Sequence, residues 1–193
     1  KIELPEARES LEDKVIPATR AFLAERGLNL SPEKTRITAI EEGFDFLGAN
    51  VRKYDGTLRM KPSKQVVLRF IDEVRRFLRT HRAVTTVHLI EALNAKIRGW
   101  TCQFRHLVSR RAFYYIDYQI WRSLWQWAKR RHPKKSATWL REHYFRSHAG
   151  WRWVFTARRP GRDGQADHVD LFLAGRVTIT QHVKVRAAAR MFD

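Results

Sequence analysis

The hydrophobic pattern changes period within the first sixty residues. Leu11, Val15, Ala18 and Phe22 recur at helical spacing, and Ser10 with Asp13 has the form of an N-terminal capping box. Pro17 interrupts that pattern and predicts a kink or a later start, while Gly27 is placed to end the helix. Residues 35–40 then read as a strand, as do residues 44–51 after the Glu42-Gly43 turn. Asp55-Gly56 is a hairpin signal between the β-prone runs 51–54 and 58–60.

From Pro62-Ser63 onward the pattern is helical. Val67, Phe70, Ile71, Val74, Phe77 and Leu78 form an apolar stripe, with Ser63 as N-cap. Arg75, Arg79 and Arg82 fall on another face of the same predicted helix. Residues 86–106 repeat the design with Leu89, Ile90, Leu93, Ile97, Trp100 and Phe104, flanked by Lys96, Arg98 and Arg105. Gly99 within it predicts close approach of another backbone. A third helix spans about 110–131 on Phe113, Ile116, Ile120, Leu124 and Trp127. It ends in Lys129-Arg130-Arg131, where cations suit the helix dipole, and Pro133 stops it. Residues 136–145 read as a short fourth helix, and β-prone runs return at 151–156, 168–173 and 177–185. The expected class is α+β: a small antiparallel sheet, a basic bundle of three to four helices, then a few terminal β-strands.

Composition adds charge to this picture. The 193 residues are 44% apolar, enough for a core, and the net charge is +18. Residues 1–60 hold 10 Lys/Arg against 11 Asp/Glu, whereas residues 61–193 hold 28 against 9. A field of that size, confined to the second region, favours a polyanion: nucleic acid, with an anionic membrane surface as the competing reading. Cys102 stands alone, which excludes an internal disulfide and a cysteine-based zinc site. His143, His148, His168 and His182 are scattered and form no metal-ligand spacing. No apolar run approaches the ~18–20 residues that span a bilayer.

The stretch Gly27-Leu28-Asn29-Leu30-Ser31-Pro32-Glu33-Lys34-Thr35-Arg36-Ile37, followed by Gly43-Phe44-Asp45-Phe46-Leu47-Gly48, closely resembles the end of the palm domain in group II intron reverse transcriptases. The likeness continues through Lys61-Pro62-Ser63, Leu93-Asn94, Ile97-Arg98-Gly99-Trp100 and Trp121, Trp125 and Trp127 to residues 129–133. These later blocks resemble that family's thumb and maturase domain. The resemblance covers about residues 10–156 in consistent order, and the segment 182–185 resembles the lead into the nuclease of longer members.

The resemblance implies four parts: a palm end at 1–60, a thumb helix at 61–84, maturase helices at 85–156, and a terminal β segment at 157–193 leading toward an absent nuclease domain. Lys34 falls at the polymerase motif D lysine, where a cation stabilises leaving pyrophosphate; read alone, it is a solvated charge. Phe46, Leu47 and Gly48 match the primer grip, and Phe44 and Phe46 are expected to be buried in any case. Lys64, Arg69, Arg75, Arg76, Arg79 and Arg82 would meet phosphates of a template–primer duplex; the alternative is a solvated face, with some arginines paired to Asp72 or Glu73. In the maturase-like region Arg98, Arg105, Arg110, Arg111, Lys129, Arg130 and Arg131 are interleaved with aromatics that can stack on bases. Trp100 and Trp127 are expected in the core, whereas Trp121 and Trp125 fit either role.

Reverse transcription needs paired aspartates holding two metal ions, and this chain has none: Asp13, Asp45 and Asp55 are isolated. No cofactor is expected in this chain, and Mg2+ only in a full-length parent; Lys1 in place of methionine fits a piece of one. The implied function is group II intron RNA binding and splicing (maturase) activity in the bacterial cytoplasm. The expected partners are that RNA, an RNA–DNA template–primer duplex and a chain carrying the catalytic palm, and no membrane. The alternatives are one half of a split RNA-directed DNA polymerase, or an inactive fragment.

Overall fold

In the computed structural model, residues 4–148, 150–161 and 166–180 are described. The chain divides into two units, residues 1–46 with 50–59 and residues 47–49 with 60–193.

The first unit opens with α1 (Leu4–Ser10), a π-helical turn (Leu11–Val15) and α2 (Ile16–Ala24). The capping box at Ser10 is not formed. Ser10 is itself helical (φ −62°, ψ −34°) and its side chain makes no cap bond, because the helix has already begun at Leu4. Pro17 falls in the first turn of α2, directly after the π turn, so the irregularity sits where proline interrupts the helical pattern. No residue of the π turn or α2 is buried. Residues 35–40 form no strand. Thr35 folds back on Ser31, whose carbonyl accepts its N–H (3.0 Å) and its hydroxyl (2.7 Å). A second turn follows at once, with the N–H groups of Glu42 and Gly43 on the Ala39 carbonyl (3.0 and 3.1 Å).

Residues 44–51 are two strands rather than one. β1 (Phe44–Phe46) and β2 (Ala49–Tyr54) are joined by Leu47-Gly48, both at positive φ (48° and 81°), the geometry of a tight hairpin turn. Asp55-Gly56 makes the second hairpin, from β2 to β3 (Thr57–Pro62), as the sequence predicts. The sheet order is β1-β2-β3. Phe44 and Phe46 are 42% and 59% exposed rather than buried, since all three residues of the short edge strand β1 lie open.

The second unit holds α3 (Lys64–Thr80), α4 (Thr86–Phe104), α5 (Arg110–Arg131) and α6 (Ala137–Tyr144). Ser63, Thr85 and Ser136 cap α3, α4 and α6 by accepting a backbone N–H three residues on. All the predicted stripe residues of α3 to α5 are buried except Phe77, which is partly buried against the same core. At the centre Phe70 and Phe113 pack on Trp100 (5.2 and 5.8 Å between ring centres). Each such side chain contributes roughly 1.5–3 kcal/mol by leaving water. Among the described residues Gly99 meets no other backbone: it lies on the exposed side of α4, and a Cβ there would find none of their atoms within 4 Å outside its own helix turn.

A second antiparallel sheet, in the order β4-β5-β6, completes the unit: β4 (Phe145–His148), β5 (Trp151–Pro160) and β6 (Ala166–Asp170). Residues 154–157 of the central β5 are buried without alternation, as expected for a strand covered on both faces. The predicted run 168–173 stops being strand at Asp170. Beyond it the backbone bonds go largely to side chains: Asn94 accepts the Phe172 N–H (2.6 Å) and donates to the Asp170 carbonyl (2.9 Å). The run at 177–180 is not a strand either. Val177 closes a 3-10 turn (Ala174–Arg176) and Thr180 donates to the Arg105 carbonyl (3.0 Å). Residues 181–185, with His182, lie outside the described residues. The fold is α+β. Among the described residues no helix is long and apolar enough to cross a membrane.

Candidate nucleic-acid interface

Cations of the second unit sort by what their side chains touch. On α3 the core faces inward through Val67, Phe70, Ile71, Val74 and Leu78, which leaves Arg69, Arg76 and Arg79 on the solvent side. Among the described residues none of these three guanidinium groups has a partner, and neither do the side chains of Lys64, Arg105, Arg111, Lys129 and Arg130. Exposed, unpartnered cations keep their charge available to phosphate.

The remaining predicted cations are engaged within the fold. Arg75 lies 3.1 Å from Asp72 and donates to Gln119 (2.9 Å). Arg82 is not on α3, which ends at Thr80, and it bends back to donate to the Arg79 carbonyl (3.2 Å). The predicted stripe of Arg75, Arg79 and Arg82 is therefore not one cationic face. Arg131 donates to the carbonyls of Arg82 and Val84 (3.1 and 2.7 Å) and lies over the Trp127 ring. Arg110 ties down the Gly175 and Val177 carbonyls (2.9 and 3.3 Å), and Arg98 covers Phe172 (4.2 Å). Glu73 pairs with Lys96 rather than with an arginine.

A stripe that the sequence reading missed runs along α5. Arg111, Tyr115, Tyr118, Arg122, Trp125 and Lys129 follow one another at three- or four-residue steps, so they share a face. Tyr115 and Tyr118 are exposed, and the Tyr118 ring stacks on Trp121 (6.4 Å, 16°), which stacks on Trp125 (6.1 Å, 18°). Arg122 reaches over Tyr118 at 5.8 Å. Trp121 and Trp125 are half-buried and so serve core and surface at once, whereas Trp100 and Trp127 are buried. The Trp127 indole N–H donates to the His81 carbonyl (3.2 Å); that of Trp100 has no partner among the described residues.

Residues 67–145 match the family model of the group II intron, maturase-specific domain. That span runs from the first turn of α3 through α6 and takes in the full α5 stripe. The match supports a maturase-type protein with a role in group II intron splicing, and such a domain implies binding of group II intron RNA. No curated protein matches the chain.

The palm-like positions lie before the maturase-type span. Lys34 is exposed in the turn after Ser31 and has no side-chain partner among the described residues. Phe46 and Leu47 (82% exposed) stand at the first hairpin turn. Gly48 is held by the Ser63 N–H on its carbonyl (2.8 Å), and a Cβ there would press on Val66 at 3.2 Å. Asp45 accepts a bond from Asn50 (2.8 Å), and among the described residues no group of three His, Cys, Asp or Glu could hold a metal ion.

Asp117, half-buried on α5, ties the 174–175 turn to that helix. Its two carboxylate oxygens accept the N–H groups of Ala174 and Gly175, each at 2.8 Å. Burial raises its pKa to about 6, against the lowering pull of those two bonds and of the Arg176 charge. One acid in a helix otherwise full of arginine and lysine was the signal available in the sequence.

Proposed function

We propose that this chain binds group II intron RNA and stabilises its splicing-competent fold, as the C-terminal part of a group II intron reverse transcriptase. The observation that carries this reading is a coincidence of two findings: the maturase-type span covers every unpartnered cation above except Lys64 and Lys34. The protein's part requires no covalent chemistry. Arginines on α3 and α5 neutralise phosphates where RNA helices approach one another, and the tyrosine–tryptophan stripe offers stacking faces to bases that are not paired. In a full-length parent the same α3 face would lie along an RNA template–DNA primer duplex, with Mg2+ held by aspartates that this chain does not contain.

The binding test is a salt titration. Log affinity for intron RNA should fall linearly with log salt, with a slope of roughly 0.7–0.9 for each phosphate neutralised. With several free cations available, a slope steeper than about −3 is expected. A flat dependence would remove the phosphate contacts from the account.

A second reading, one half of a split polymerase, is favoured by the first unit. Val15 and Phe22 of the π turn and α2 are 49% and 55% exposed, and neither element buries a residue, which leaves an apolar face for a chain carrying the catalytic palm. Primer extension restored on mixing the two chains would establish it.

A further inference from the structure

Between two matched pairs, β5 carries one residue more than β4. Arg146 faces Val154 and His148 faces Trp151, so Arg152 and Trp153 stand opposite Ser147 alone. This is a β-bulge, a device that re-aims a side chain. Trp153 sits in it at φ 61°, a left-handed conformation that strains an aromatic residue. The register is regular again at Val154, so the irregularity is local to this side chain.

The strain has an observable result. Trp153 is 39% exposed, although three rings stand against it: Trp125 at 6.0 Å, and Trp121 and Phe145 at 6.1 Å. It edges an open notch of about 230 Å³ whose walls are Arg141, Glu142, Phe145, Arg146, Ser147 and Trp153. Arg146 is committed to Asp170 through two hydrogen bonds and acts as wall. Arg141 is held loosely: its guanidinium is 5.9 Å from the Trp153 ring centre and 3.5 Å from the exposed Glu142. The notch thus combines an aromatic face backed by three rings with a loosely paired cation, beside the Tyr118–Trp121–Trp125 stack. A paired duplex hides its base faces and cannot use such a ring, whereas an unpaired nucleotide presents both a base face and a phosphate.

We infer that this notch takes one unpaired nucleobase of a bound RNA, stacked on Trp153, with Arg141 meeting the adjoining phosphate. The inference rests on the RNA-binding reading and adds a preference that phosphate contacts alone do not give. Trp153 lies outside the maturase-type span, while Trp121, Trp125, Arg141 and Phe145 lie within it.

The test uses the full chain with two RNA hairpins that differ only by a single bulged adenosine. The wild type should bind the bulged hairpin about tenfold more tightly, the effect of one stacked base. Trp153→Gly tolerates the positive φ while removing the ring, so it should abolish that preference and leave binding to the fully paired hairpin unchanged. Trp153→Phe should retain most of the preference. Should the glycine variant melt lower, Trp153→Leu, which keeps apolar volume without a stacking face, is measured in its place. Equal binding of the two hairpins by the wild type, or a preference that survives loss of the ring, would overturn the notch and leave the RNA-binding reading intact. Failure of the wild type to bind either hairpin would overturn the notch, and failure to bind intron RNA as well would overturn the RNA-binding reading with it.

Discussion

Replacing Arg69, Arg76 and Arg79 together by glutamine is expected to weaken intron RNA binding about a hundred- to five-hundredfold at ~0.1 M salt. The size follows from counterion release. A lost phosphate contact removes roughly 0.7–0.9 from the salt slope, about five- to eightfold in affinity at that salt, and three contacts compound. The thermal melt should hardly move. None of the three side chains has a partner among the described residues, and glutamine and arginine have nearly equal helix propensity. Arg131→Gln is the contrasting variant. It would orphan the Arg82 and Val84 carbonyls and uncover Trp127, so it should lower stability by about 1–2 kcal/mol while changing the salt slope little. A lowered melt in the triple variant would reassign those arginines to the fold.

The second large effect is expected at Asp117. Asp117→Ala strips the Ala174 and Gly175 N–H groups of their acceptors among the described residues, and at about 1–3 kcal/mol for each orphaned donor the loss should be about 3 kcal/mol in a urea melt at about pH 4.5. Asp117→Asn keeps one carbonyl oxygen and should cost about half as much. The carboxyl also makes stability depend on pH. Its folded pKa, about 6, is raised above the ordinary 3.8, so its contribution is fully present below about pH 4 and is lost as pH rises through 6. The difference is on the order of 2–3 kcal/mol. The deficit of Asp117→Asn, which cannot ionise, should accordingly be larger at pH 4.5 than at pH 7.5. An equal deficit at both would mean that burial does not control this group.

Why some of this was legible in the sequence and some was not has physical causes. The α5 helix was readable because five large apolar residues recur at one period and Pro133 ends it; tertiary packing agrees with that period. Asp55-Gly56 was readable because both residues tolerate positive φ. Leu47-Gly48 makes the same kind of turn, but leucine at φ 48° is a conformation that no propensity anticipates. Residues 35–40 have strand composition, yet the Ser31 and Ala39 carbonyls draw the chain into turns at both ends.

The candidate site divides in the same way. Spacing places an arginine on a helix face, but whether that arginine is free depends on elements distant in sequence. Arg75 meets Gln119, Arg110 meets Gly175, and Arg131 meets Val84. The segment 171–177 could not be read because Asn94 and Asp117 take the place of a neighbouring strand. Trp153 could not be read because a bulge, and no alternation of residues, turns it outward.

The central claim, recognition of group II intron RNA, is tested most directly by competition binding. Labelled intron RNA is bound by the full chain at ~0.15 M salt and challenged with unlabelled intron RNA or with a structured RNA of equal length and shuffled sequence. The account predicts that the intron competitor displaces the label at concentrations at least about tenfold lower, a margin of about 1.4 kcal/mol. Equal displacement by both would reduce the protein to a general polyanion binder and contradict the maturase reading.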